Sequence, residues 1–330
     1  MSAVVAGAAC DSGESINGAG ATFPYVLYSK WFDEYNKIHP EVRINYQSQG
    51  SGAGIRQLTN GTVFFGATDS PMTDQQLRAA PGPILHLPMV LGANVPVYHI
   101  PGVTAELKFS GPLLAKIFLG AITTWNDPAI VSLNPGIALP PLALTVVHRS
   151  DGSGTTFIWT DYLAKVSPEW KAAVGAGTSV NWPSGVGGKG NEGVAGLVTQ
   201  TPGAIGYIEL VYALQTKMTY GAVQNRAGEF VAASKESVTA AAAATADEMP
   251  ADFRVSITDP PGTGAYPIAS FTWLLLYEAP ENVAQSKAMV DFTKWALTDG
   301  QALAGPLGYA RLPSNVVARG LAALARVKTS

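Results

Sequence analysis

The chain has a single cysteine, Cys10, among its 330 residues. That rules out an intrachain disulfide and a thiolate zinc cluster. The four histidines, His39, His86, His99 and His148, are too scattered to offer metal-ligand spacing, so no metal and no cofactor is expected. Charge is scarce as well. Only 14% of residues are charged and the formal net charge is -3, so no broad basic field exists to hold nucleic acid or an anionic membrane surface. An anionic ligand would have to be held locally. Long hydrophobic runs are also missing: Phe271–Tyr277, among the most apolar stretches, falls far short of the ~20 residues that cross a bilayer. No repeat of fixed period is visible.

What the sequence does have is apolar bulk, with 47% hydrophobic residues, enough at this length for two domains of roughly 100 to 200 residues each. Short apolar, β-branched runs over 42–47, 85–91, 144–148 and 268–277 alternate with amphipathic segments. Leu27, Trp31, Tyr35 and Ile38 recur at helical spacing, as do Ala288, Phe292 and Trp295, which predicts helices over 25–38 and 285–298. The alternation predicts an α/β fold with largely parallel sheets. Two longer apolar segments, 88–100 and 266–277, are suited to cross between lobes. The expected division is therefore lobe I from 15–92 plus 266–330 and lobe II from 93–265. Residues 1–14 are set apart as a leader. Met1–Ala9 (MSAVVAGAA) runs into Cys10 like the tail of a lipoprotein signal, although the basic start and full apolar stretch of such a signal are lacking.

Four glycine- and hydroxyl-rich loops each lie where an extended run gives way to a helical one, the places where backbone N–H groups are free to bind anions. They are Gly18–Pro24 (GAGATFP), Gly50–Gly54 (GSGAG), Gly66–Pro71 (GATDSP) and Arg149–Thr156 (RSDGSGTT). One such loop alone is ordinary turn and capping chemistry; four together point to an oxyanion. In the first, Thr22 and Phe23 are the candidate donors. In the second, Ser51 is read as a helix cap whose hydroxyl faces a ligand. The fourth packs a guanidinium, a carboxylate and two hydroxyls into seven residues: Arg149 is suited to grip an oxyanion, Asp151 to hold Arg149, and Ser153, Gly154 and Thr155 to donate from a helix start.

Asp69, in the third loop, would repel a fully deprotonated oxyanion. It fits a ligand that carries a proton to donate, as phosphate does at neutral pH and sulfate does not; the other reading is a cap for the helix expected over 73–78. Two enzyme motifs fall away. Lys189 in GVGGKG is followed by Gly190 and position 183 is Pro, so no nucleotide P-loop is present, and Gln49 and Asp151 stand where a hydrolase nucleophile elbow needs glycine.

The runs GAGATFP (18–24), GSGAGI (50–55), GATDSPM (66–72), HRSDGSGTTF (148–157), GGKGNEGV (187–194), TPGAIGYIE (201–209) and YPI (266–268) resemble the PstS-type phosphate-binding proteins of the phosphate-specific ABC transporter. The resemblance covers essentially the whole chain from about Ile16. It implies a two-lobed α/β periplasmic binding protein (a Venus flytrap) with two crossing hinge strands, binding dehydrated phosphate in the cleft. It also implies an ABC permease as membrane partner, a monomer, no enzymatic activity and an extracytoplasmic location, periplasmic or lipid-anchored through Cys10. Thr22, Phe23, Ser51, Asp69, Arg149, Asp151, Ser153, Gly154 and Thr155 are the phosphate-binding set it implies, with Asp69 accepting the ligand's proton. A sulfate or molybdate carrier and a phosphomonoesterase remain as alternatives, the latter without an organised nucleophile or metal.

Overall fold

The computed structural model describes residues 14–330; Cys10 and the leader expectation lie outside the described residues. Eleven strands follow in chain order: β1 (Glu14–Gly20), β2 (Val42–Ser48), β3 (Phe65–Thr68), β4 (Ile84–Tyr98), β5 (Lys108–Phe109), β6 (Thr145–Arg149), β7 (Val186–Gly188), β8 (Ala204–Glu209), β9 (Ala222–Gln224), β10 (Phe230–Val231) and β11 (Ala269–Tyr277). Eight of them form one sheet in the order β2-β1-β3-β11-β4-β8-β6-β7, and β10-β9-β5 form a small second sheet.

The large sheet is two parallel cores joined by antiparallel strands. β1 runs parallel to β2 and β3, and β6 runs parallel to β7 and β8. Between them β4 is antiparallel to β11 along Ile84–Ala93 and then to β8 along Asn94–Tyr98, so one strand passes from one half of the sheet to the other. The sheet is thus mixed where largely parallel pairing was expected, because the crossing strands bring antiparallel neighbours into its middle. The strand-register slip between Thr272 and Trp273 leaves Met89 unpaired, next to Pro88, a residue with no N–H to give to a ladder.

Burial follows the sequence pattern. β11 and the body of β4 are buried on both faces, as suits central strands covered by helices, whereas edge strand β2 buries only Val42 fully and then alternates exposed with half-buried positions. The helix Tyr25–Ile38 buries Leu27, Tyr28, Trp31, Phe32 and Tyr35 along one stripe, and Phe32 and Tyr35 meet Phe292 of the helix Val283–Leu297 at ring-centroid distances of 5.2 Å each. Ile38, expected in the same stripe, is 57% exposed at the helix end. Among the described residues no helix is long and apolar enough to cross a membrane.

Every parallel strand of the large sheet points its C-terminal end to one zone. There β1, β2, β3 and β6 release the four glycine-rich loops, and β7 leads through Lys189 directly into the helix Gly190–Gln200. Crevices beside strand C-termini are where α/β sheets place ligands.

Candidate functional site

The loops from the two halves meet in direct contact. Gly52 N donates to Gly152 O at 2.8 Å, Asn191 Nδ2 donates to Thr22 Oγ1 at 2.7 Å, and Tyr212 Oη donates to Thr22 O at 2.6 Å. Thr22, Phe23, Ser51, Asp69, Arg149, Ser153 and Thr155 are all buried, and Asp151 is close to it. Gly154 is one of the places where the halves approach closely. A methyl group there would clash with Ser51 Oγ and sit 2.6 Å from Asp69 Cβ and 2.7 Å from Asp69 Oδ2. Gly154→Ala is therefore expected to hold the halves apart while leaving each folded. The expected result is a ten- to hundredfold loss of anion affinity by calorimetry with an unchanged far-ultraviolet dichroism spectrum, and unaltered affinity would refute this reading of the contact.

Arg149 ends β6 and is fixed on three sides. Its Nε donates to Asp151 Oδ1 at 2.8 Å, Nη2 to Asp151 Oδ2 at 2.6 Å, and Nη1 to Thr155 Oγ1 at 3.2 Å, while its backbone N donates to Tyr207 Oη. The fork grips Asp151 with both arms and turns its third edge toward Thr155. Burial opposes ionisation of Asp151, but the hydrogen bonds and charge of Arg149, together with Gly190 N–H at 3.0 Å, hold its carboxyl below the usual range.

The four hydroxyls share one arrangement. Each oxygen accepts a hydrogen bond from the protein: Thr22 from Asn191 Nδ2, Ser51 from Asp69 N at 3.1 Å, Ser153 from Thr156 N at 3.1 Å, and Thr155 from Arg149. With a lone pair so occupied, each keeps its O–H to give away. Ser51 Oγ lies 3.4 Å from Asp69 Oδ2, a long contact for its proton. The set is chemically one-sided: donors throughout, with Asp69 as the acceptor among them.

Asp69 is 1% exposed, and Thr272 Oγ1 donates to its Oδ1 at 2.7 Å. Burial pushes its carboxyl up to about 7, against the opposing pull of Thr272, Arg149 and Ser51. The helix-cap alternative does not hold. Thr73 caps the helix Asp74–Ala79 in a reciprocal box with Gln76, leaving Asp69 free of that task. The cap expected of Ser51 is also corrected. Gly50, with φ of 94°, is the capping residue of Ser51–Thr59, and Ser51 is its first helical residue, because only glycine takes that left-handed turn without strain. Ser153 does cap Gly154–Val166, through Thr156 N.

Sequence reasoning missed several residues that hold this set. Asn191 is fully buried and links Thr22, at 2.7 Å, with Glu209 N, at 3.0 Å. Thr272 and Ser270 are the only aliphatic hydroxyls in the apolar run of β11, a signal that was available. Among the described residues no group of three or more His, Cys, Asp or Glu side chains could hold a metal ion.

Comparison with known proteins places these features. Residues 5–300 match the PBP superfamily domain. The chain is 50% identical over 304 residues to phosphate-binding protein PstS of Xylella fastidiosa (strain Temecula1), covering 92% of this chain and 82% of that one. It is 47% identical over 305 residues to phosphate-binding protein PstS of Pasteurella multocida, covering 92% of this chain and 88% of that one. In structure it resembles a high affinity periplasmic phosphate-binding protein solved with phosphate bound, with a TM-score of 0.73, 22% identity and 92% of each chain covered. That last likeness establishes the two-lobed fold.

Proposed function

The chain belongs to the PBP superfamily and, within it, to the PstS phosphate-binding proteins, and from that premise we propose that it captures inorganic phosphate between its lobes and delivers it to an ABC-type import permease. The observation that carries the reading is a donor-lined meeting point with the buried carboxyl of Asp69 set among the donors: Thr22, Ser51 and Asp69 from one half against Arg149, Ser153, Gly154 and Thr155 from the other. Phosphate brings negative charge for the donors and a proton for Asp69. Thr22 and Phe23 donate from the first loop and Ser51 from the second. Arg149, steadied by Asp151, supplies the charge, and the start of Gly154–Val166 supplies N–H groups with a favourable helix dipole.

The moving bodies in this proposal are 15–92 plus 266–330 and 93–265, hinged where β4 and the segment leading into β11 cross. Donors on both bodies mean that the shell is complete only when they close, which gives a permease a shape to read. The protein acts as a monomeric carrier outside the cytoplasm, free in the periplasm or lipid-anchored through Cys10, and performs no chemistry on its ligand.

Titration of the purified protein with phosphate, sulfate and molybdate, followed by tryptophan fluorescence and calorimetry, tests this. Phosphate is expected to bind at least about a hundredfold more tightly than the others, the worth of one well-made charged hydrogen bond against one repulsion. Equal affinities, or steady hydrolysis of an aryl phosphate by metal-free protein, would overturn it.

A further inference from the structure

We propose that Glu209 is a positioning residue, held as a neutral carboxylic acid that shares its proton with the side-chain carbonyl of Asn94, and that this pair fixes the start of the anion-binding helix through Thr155. Asn94 and Glu209 are both fully buried, and they face each other directly in the antiparallel pairing of β4 with β8. Directly opposed residues project to the same face of a sheet, with Cβ atoms about 4.5 to 5.5 Å apart. Asn94 Oδ1 and Glu209 Oε1 are each buried without a hydrogen-bond partner.

Their remaining atoms are engaged. Asn94 Nδ2 donates to Thr155 O at 2.7 Å, so flipping the amide would break that bond, and Glu209 Oε2 accepts from Val211 N at 2.8 Å. Two orphan acceptors on directly opposed buried residues are costly. One proton on Glu209 satisfies both, directly or through one water.

The surroundings favour the neutral form. Asp69, on the loop after β3, adds negative charge; Tyr212, bonded to Glu192, and Tyr309 are the other titratable groups facing the carboxyl. Arg149 is committed to Asp151 and Thr155. Burial raises the Glu209 carboxyl well above the carboxylate range, and the N–H of Val211 pulls the other way without prevailing. The pair also sits at the crossing itself. Asn94 N donates to Ile268 O at 2.9 Å and Asn94 O accepts from Tyr266 Oη at 2.8 Å, so both crossing segments are tied at the residue that holds Thr155.

Glu209→Gln is the test, because its amide N–H replaces the acid proton and its carbonyl still accepts from Val211. The proposal rests on the phosphate reading only for its affinity arm. E209Q is expected to bind phosphate within about threefold of the parent at pH 7, whereas Glu209→Ala is expected to lose tenfold or more. The sign of the pH effect follows from linkage. A carboxyl raised on folding stabilises fully below its unfolded value and loses that contribution as pH rises, so E209Q should match the parent's melting temperature near pH 4.5 and exceed it at pH 8. In the infrared, with Asp69→Asn as the background so that the Asp69 carboxyl contributes nothing, a carboxylic-acid carbonyl band at pH 7 should be present and should vanish when Glu209→Gln is added. Absence of that band, a less stable E209Q at pH 8, failure of E209Q to fold, or equal impairment of E209Q and E209A would overturn the proposal. If the parent fails to bind phosphate, the function reading falls, while the melting and infrared arms still decide this one.

Discussion

Arg149→Ala is expected to weaken phosphate binding by about three to four orders of magnitude. Two losses combine. Removing the guanidinium deletes charge-assisted hydrogen bonds, each worth about 1.5 to 3 kcal/mol. It also leaves Asp151 as an unpaired carboxylate at the edge of the site, where the surviving charge repels the ligand, and breaking such a pair costs about 3 to 5 kcal/mol. The second loss can be separated from the first. In Arg149→Ala with Asp151→Asn the repulsion is gone, so calorimetry should recover part of the affinity and thermal melting part of the stability. Arg149→Lys should recover little, since a point charge cannot span both Asp151 oxygens and Thr155 Oγ1, which the guanidinium reaches at 2.8, 2.6 and 3.2 Å. A lysine variant close to the parent in affinity would show that charge alone matters here.

The parts of this site that were legible in the sequence are the local ones. A strand end, a glycine turn and a helix start fall within seven residues at Arg149–Thr155, so sequence spacing already fixes their geometry, and Asp151 is close enough to Arg149 to be read as its partner. The rest is assembled by pairing across the sheet. Thr272 reaches Asp69 from 203 residues away, because β11 lies between β3 and β4, and Asn191 reaches Thr22 from 169 residues away. Nothing local distinguishes Glu209 from an ordinary strand-end carboxylate until Asn94 is placed opposite it. The same limit explains the mixed sheet. Apolar runs identify β4 and β11 as buried strands but carry no sign of direction, which the crossing connection sets. Ser51 was misread for a local reason: both Gly50 and Ser51 suit a cap, and the left-handed turn at φ 94° decides for glycine.

Asp69→Asn is expected to erase most of the preference for phosphate over sulfate, lowering phosphate affinity about ten- to a hundredfold while raising that of sulfate about tenfold at pH 8. The buried carboxyl is raised to about 7 by loss of hydration and held there against Thr272, Arg149 and Ser51. Phosphate and Asp69 need one proton between them, and either can bring it. Sulfate has none, so it must wait for Asp69 to be protonated. In the parent protein its affinity should level off below pH 7 and fall about tenfold for each unit above, the fraction of protonated carboxyl setting the slope. Asparagine removes that dependence: its amide donates to sulfate at every pH and no charge repels. Stability provides an independent check. A carboxyl raised from 3.8 to about 7 on folding stabilises the ligand-free protein fully below pH 4 and progressively less up to pH 7, so the asparagine variant should out-melt the parent above pH 7. Sulfate titrations of both proteins from pH 6 to 9 settle the matter, and parallel slopes would remove Asp69 as the group that tells the two anions apart.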